Sequence, residues 1–171
     1  RPPALDIDMV RLVCMARRFQ PGLIVVDRTV SGRYENYLTP ENQVPSEPII
    51  EKPWEACITM GTQWSYKPND NYKSVKELIH LLIDIIAKGG NLLLNIGPKP
   101  DGQLPSEAVS RLVEIGKWIS INSEAMYRTM PYPPFKKDNW AFTHRGDTIY
   151  AIYLLQDDKE THLICSRFIV S

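Results

Sequence analysis

The segment from Ser74 to Ile96 leaves this chain the fewest choices. Ser74 followed three residues later by Glu77 is a capping box, in which each end of the pair satisfies a backbone N–H of a helix start. The residues after it place Val75, Leu78, Ile79, Leu82, Ile85 and Ile86 on one helical side, and Gly89-Gly90 supplies a stop. Asn91–Ile96 then runs apolar without alternation, as a strand buried on both faces does. A helix that hands over at once to a buried strand belongs to a parallel sheet, because parallel neighbours need such crossovers.

The same grammar extends in both directions. Leu5, Met9, Leu12, Val13 and Ala16 form a helical stripe within Leu5–Phe19, and Asp6 and Asp8 read as first-turn carboxylates that suit the helix dipole. Pro21-Gly22 ends that helix, and Leu23–Val26 reads as a second doubly buried strand, closing on Asp27-Arg28. Residues 29–52 show no period and read as a long polar loop. Beyond the strand Asn91–Ile96, Ser106 is expected to cap a helix reaching about Asn122, with Val109, Leu112, Val113 and Ile119 as its stripe. Pro131, Pro133 and Pro134 interrupt the alternation. Asn139–Phe142, Thr148–Leu155 and Thr161–Val170 then read as short antiparallel strands, with turns at Arg145-Gly146-Asp147 and Gln156-Asp157-Asp158.

Lys52–Tyr66, KPWEACITMGTQWSY, carries the richest chemistry. Strand alternation puts Trp54, Ala56 and Ile58 on one face and Glu55, Cys57 and Thr59 on the other, with Trp64 in the loop beyond. A carboxyl walled by tryptophan has a raised pKa and stays available as a general acid, whereas most Glu side chains are solvated surface charges. Composition narrows the partners. Lys plus Arg matches Asp plus Glu at 20 each, so the net charge favours neither nucleic acid nor an anionic membrane. Three unpaired Cys and three scattered His suggest neither a disulfide framework nor a metal centre. The longest apolar run, Leu78–Ala87, carries His80 and Asp84 and is too short to span a bilayer. His80, between two stripes, reads as an edge or core histidine, and Trp118 as core packing.

The ordered set LIVVDR, YLTPEN, KPWEACITMGTQWSY, SVKELIHLLIDIIAKGGNLLLNIGPKPDGQLP and IGKWISINSEAMY resembles the second half of a retaining α-L-fucosidase. The likeness covers about residues 5–130, and the tail resembles the beginning of that family's β-sandwich. It implies an α/β fold: the second half of a (β/α) TIM-like barrel over 1–130, followed by the start of an antiparallel β-sandwich domain over 131–171. A closed barrel takes roughly 250 residues, more than this chain has.

The resemblance further implies hydrolysis of terminal α-L-fucosyl linkages by double displacement, with no metal or organic cofactor, and a fucosylated glycan as partner rather than nucleic acid or membrane. In that family an Asp attacks the anomeric carbon, and a Glu protonates the leaving oxygen and later activates water. The nucleophile's Trp-x-Asp-Gly segment and the sugar-binding His residues have no counterpart here and are expected upstream of Arg1. Glu55 matches the acid/base of some members. Glu41 in YLTPEN is the alternative, with Glu35 and Glu51 behind it. Arg28 matches an Arg that contacts the sugar and the catalytic carboxylate, and Trp64 an aromatic against the sugar's apolar face, while Trp54 is expected to support the adjacent Glu or to shape the leaving-group side. Without a nucleophile the chain alone is expected to be inactive, and the open edges of a half barrel to favour self-association. Family habit implies a periplasmic or secreted parent. A non-catalytic carbohydrate-binding or scaffold module, and a barrel glycosidase of other sugar specificity, are the competing readings.

Overall fold

The computed structural model describes residues 7–28, 32–156 and 164–169. Helix α1 (Met9–Phe19) opens with Asp8 as its N-cap, the carboxylate accepting from the Arg11 N–H at 3.0 Å. Asp8 is thus a cap rather than a first-turn charge, while Leu5 and Asp6 lie outside the described residues. Arg17 ties the helix to the segment after it, donating to the Leu23 and Tyr34 carbonyls and to Asn36 Oδ1. Among the described residues of the expected stripe only Val13 is buried; Leu12 remains 45% exposed.

Strands β1 (Trp54–Thr59) and β2 (Gly90–Asn95) pair in parallel, Glu55 opposite Asn91 and Thr59 opposite Asn95. The expected strand Leu23–Val26 forms only a single bridge, Val26 to Tyr37, and Ile24 is left 67% exposed. A strand needs ladder partners, and here its neighbour is an irregular one. Residues 36–42, expected to be loop, run parallel between Val26 and β1 through the bridges Leu38–Trp54 and Glu41–Cys57. Pro40 has no N–H to give that segment's ladder, which keeps it from becoming a regular strand.

Helix α2 (Val75–Ala87) begins with the expected reciprocal capping box, and Gly89 at φ 87° follows its C-cap Lys88, a conformation glycine tolerates without strain. The faces of β1 alternate as anticipated. Trp54, Ala56 and Ile58 pack against Ile85 of α2 in a cluster where every member is at most 4% exposed. Helix α3 (Ser106–Asn122) buries Ala108 and Ile115, while Val109, Leu112 and Val113 stay at the surface. Pro105 takes the N-cap place expected of Ser106, which is the first helical residue.

The remaining strands, β3 (Met130–Lys137), β4 (Trp140–Arg145), β5 (Thr148–Tyr153) and β6 (Ile164–Ile169), form an antiparallel sheet in chain order. The three prolines do not precede this sheet; they lie in its edge strand β3, where a missing N–H costs least. Pro131 pairs with Thr143, and the register slips between it and Lys136, so Pro133 and Pro134 sit where pairing with β4 lapses. Of the last expected strand and turn, Asp157, Asp158, Thr161 and Val170 lie outside the described residues. The sheet is not a free-standing unit: Ala141, Tyr150, Ile152 and Leu154 share one buried cluster with Met60, Leu78, Ile79 and Ile83. The result is a mixed α/β fold with two sheets on a common helical layer.

Candidate functional site

Because residues 24–26, 36–42, β1 and β2 all run the same way, their C-terminal ends meet along one edge. That edge carries Arg28, Glu41, Asn42, the Gly61–Tyr72 loop with Trp64, and the Asn95–Gly97 turn. Parallel βα sheets bind ligands at this edge, where loops are free to carry polar groups without breaking the ladder.

Arg28 and Glu41, thirteen positions apart, meet there: Arg28 Nη1 donates to Glu41 Oε2 at 2.7 Å, with the side chains 44% and 55% exposed. Each is held by its neighbours. The Asp27 carboxylate accepts from the Thr39 N–H at 2.8 Å and its hydroxyl at 2.7 Å, joining the start of the 39–42 turn to the end of the Val26 segment. Asn42, at φ 53°, donates its N–H to the Cys57 carbonyl at 2.8 Å, and its side-chain oxygen accepts from the Thr59 N–H. Asn is among the few side chains at ease in that left-handed conformation. Glu41 is thereby fixed at backbone level on both sides while its carboxylate faces solvent beside a cation.

Glu55 is placed differently. It is the second residue of β1, about 13 Å before Thr59 along the strand. It lines a largely apolar cleft with Ile24, Val26, Tyr37 and Asn91. Trp54, expected to support the adjacent Glu or to shape the leaving-group side, is instead fully buried, its indole N–H donating to the Lys88 carbonyl at 3.3 Å. Strand alternation points its ring into the helical layer, where it packs with Ile85. Glu35 is only 7% exposed and is engaged by Lys52 Nζ at 3.1 Å and the Gly32 N–H, whereas Glu51 is exposed.

Trp64 is 40% exposed, in a loop at the same edge as Glu41. Within that loop Thr62 hydrogen bonds hold the Asp70 carboxyl below its ordinary value, and burial, then the nearby Asp70, raise the Tyr72 phenol. Sequence reasoning singled out none of Asp70, Asn95 and Gly97, which make close contacts within or against the Trp64 loop. The signals that could have found them are the polar run Asn69-Asp70-Asn71 and the Asn-Ile-Gly-Pro turn that closes β2. His80 is half-buried on α2 with Nε2 lacking a hydrogen-bond partner, and burial depresses its pKa. Among the described residues no group of three or more His, Cys, Asp or Glu comes together as a metal site, and no helix is long and apolar enough to cross a membrane.

Three comparisons bear on this arrangement. A family model described as alpha-L-fucosidase matches residues 3–124. The human tissue alpha-L-fucosidase is 32% identical over 143 residues, 77% of this chain and 30% of its own length. The solved alpha-L-fucosidase isoenzyme 1 from Paenibacillus thiaminolyticus aligns with a TM-score of 0.79 at 28% identity, over 88% of this chain and 39% of that one. The Thermotoga maritima alpha-fucosidase, solved in complex with fucose, aligns with a TM-score of 0.70 at 29% identity, over 86% and 34%. The chain thus spans about a third of the length of these relatives.

Proposed function

We propose, from the premise that this chain belongs to the alpha-L-fucosidase family, that it carries the acid/base side of a retaining α-L-fucosidase site, with Glu41 as the acid/base. Its residues 1–130 are read as the second half of a (β/α) barrel and 131–171 as the start of a β-sandwich. Fucose as the recognised sugar draws support from the Thermotoga maritima relative in complex with fucose. The single observation that carries the choice of Glu41 is its 2.7 Å pair with Arg28 at the loop edge.

In this reading Glu41 gives its proton to the glycosidic oxygen while a carboxylate from outside residues 1–171 bonds to the anomeric carbon, and the aglycone leaves as an alcohol. Glu41, now ionised, takes a proton from water; the water oxygen bonds to the anomeric carbon and the nucleophile departs. Arg28 aims the carboxylate and offers its remaining N–H groups to the sugar. Trp64 presents an exposed ring for the sugar's apolar face. Among the described residues Glu55 has no such cation in contact, and its place within the strand favours a positional role in the interior.

The test pairs Glu41→Gln with Glu55→Gln in a protein that also contains the nucleophile-bearing segment. On a fucoside with a poor leaving group, Glu41→Gln is expected to lower kcat/KM by about 10²–10⁴, the usual worth of general acid–base catalysis. Azide, which needs no general base, restores turnover of an activated aryl fucoside. Glu55→Gln stays within about tenfold of wild type. The reverse ranking returns the role to Glu55. Sugar binding without turnover in the unsubstituted protein favours the carbohydrate-binding module instead.

A further inference from the structure

The Trp64 loop is held from two sides by groups that touch its backbone. Inside the loop the Asp70 carboxylate, whose side chain is only 4% exposed, accepts from the Thr62 N–H at 2.9 Å, the Thr62 hydroxyl and the Asn71 N–H at 2.9 Å, with Lys67 Nζ 3.6 Å away. Gly61 makes the room: a Cβ there would stand 2.1 Å from Asp70 Oδ2. From β2, Asn95 Nδ2 donates to the Trp64 carbonyl at 2.8 Å. Two residues on, Gly97 packs backbone against backbone, since a Cβ on it would lie 2.3 Å from the Tyr66 nitrogen and 2.4 Å from the Ser65 carbonyl carbon.

These contacts fix the Trp64 carbonyl and the peptide after it, while leaving the residue 40% exposed. A large ring held on an immobilised backbone, open to the edge that carries Glu41, is more order than an exposed loop needs for its own sake. We propose that Asp70, Asn95 and Gly97 form a clamp that sets the Trp64 ring at the height a bound sugar requires, and so act as positioning residues for substrate recognition. This rests on the reading of Trp64 as the sugar's platform. It also gives the Asn-Ile-Gly turn after β2 a role, in which one side chain and one missing side chain both serve the neighbouring loop.

A double-mutant cycle on a nitrophenyl α-L-fucoside tests it in the same nucleophile-containing protein. Trp64→Ala is expected to raise KM roughly tenfold, and Asp70→Asn about fivefold with kcat within about twofold, the pattern of lost binding without lost chemistry. Asp70→Asn combined with Trp64→Ala should be no worse than Trp64→Ala alone, since a clamp has no value once its ring is gone. Gly97→Ala, which must push the Ser65–Tyr66 peptide, raises KM in the same way. Additive effects in the cycle overturn the clamp while leaving Trp64 as platform. A Trp64→Ala variant with unchanged KM and kcat overturns the platform reading itself. If Asp70→Asn does not fold, Thr62→Val, which deletes one hydroxyl and keeps the backbone donor, takes its place in the cycle.

Discussion

The two ends of β1 offer a controlled comparison, because each brings one carboxylate and one tryptophan. At its start Trp54 and Glu55 are adjacent in sequence yet face opposite ways, the indole fully buried against α2 and the carboxylate in an apolar cleft. At its finish Glu41 and Trp64 are twenty-three positions apart in sequence yet share one exposed edge, Glu41 with a cation in contact and Trp64 on a pinned loop. The same two residue types are therefore held on opposite faces at one end and brought to one exposed edge at the other. Strand direction makes the difference: loops at the C-terminal ends of parallel segments carry polar groups outward, while residues within the ladder are committed to the layers on either side.

After the carboxylate pair, the largest contrast is between the tryptophans. Trp54→Ala removes a large side chain from a cluster with no exposed member, and should destabilise the protein by about 3–5 kcal/mol. Trp64→Ala should cost no more than about 1 kcal/mol, because its ring is not in the core. Chemical denaturation of both variants reads this directly. Equal losses would mean that the two ends of β1 are packed alike and that the division between scaffold and site is misplaced.

A smaller contrast concerns the polar groups that flank each carboxylate. Thr39→Val removes the hydroxyl that Asp27 accepts at 2.7 Å, loosening the turn that presents Glu41, and kcat is expected to fall about three- to tenfold. Asn91→Ala, opposite Glu55, removes only a long 3.4 Å bond to the Trp54 carbonyl and should leave kcat within about twofold. Steady-state kinetics in which Asn91→Ala is the more damaging of the two would shift attention to the Glu55 end.

This division also marks what could be read in advance. The α2–β2 unit was legible as helix and strand because its signals are local: the capping box, the apolar stripe and the paired glycines all act within a few residues, whereas the expected burial of that strand on both faces fails, Leu93 staying 49% exposed. The face alternation of β1 was legible for the same reason. Leu23–Val26 was not, since four apolar residues make a strand only where a neighbour supplies a ladder, and its neighbour is the irregular segment around Pro40. That segment shows no period because isolated bridges, rather than continuous pairing, hold it. The stripe of α3 misled because Val109, Leu112 and Val113 stay exposed while Ala108 and Ile115 are the residues that reach the core. Arg28, Glu41, Glu55 and Trp64 were all visible as candidates. That Arg28 pairs with Glu41 was not, because which carboxylate stands beside Arg28 depends on how a non-periodic stretch inserts between two strands.

The finest contrast is acidic. The Asp70 carboxyl lies below its ordinary value of 3.8, chiefly through the Thr62 side-chain hydrogen bond. A carboxyl depressed in the folded state favours the folded arrangement fully above its unfolded value and loses that contribution as pH falls through the folded one. The clamp on the Trp64 loop should therefore be at full strength at neutral pH and give way only below 3.8. Trp54 has no titrating group in its cluster of Ala56, Ile58 and Ile85, so its surroundings change only when the protein unfolds. Fluorotryptophan incorporation with ¹⁹F spectroscopy separates the two, the Trp64 resonance being assigned by its loss in Trp64→Phe. It should hold steady from neutral pH down to 3.8 and move only below that, before the Trp54 resonance does. An Asp70→Asn variant, having no carboxyl to titrate, should show the displaced Trp64 position at every pH. A Trp64 resonance that moves in step with Trp54, or that titrates above 3.8, would detach the loop from Asp70 and leave the two ends of β1 equally rigid.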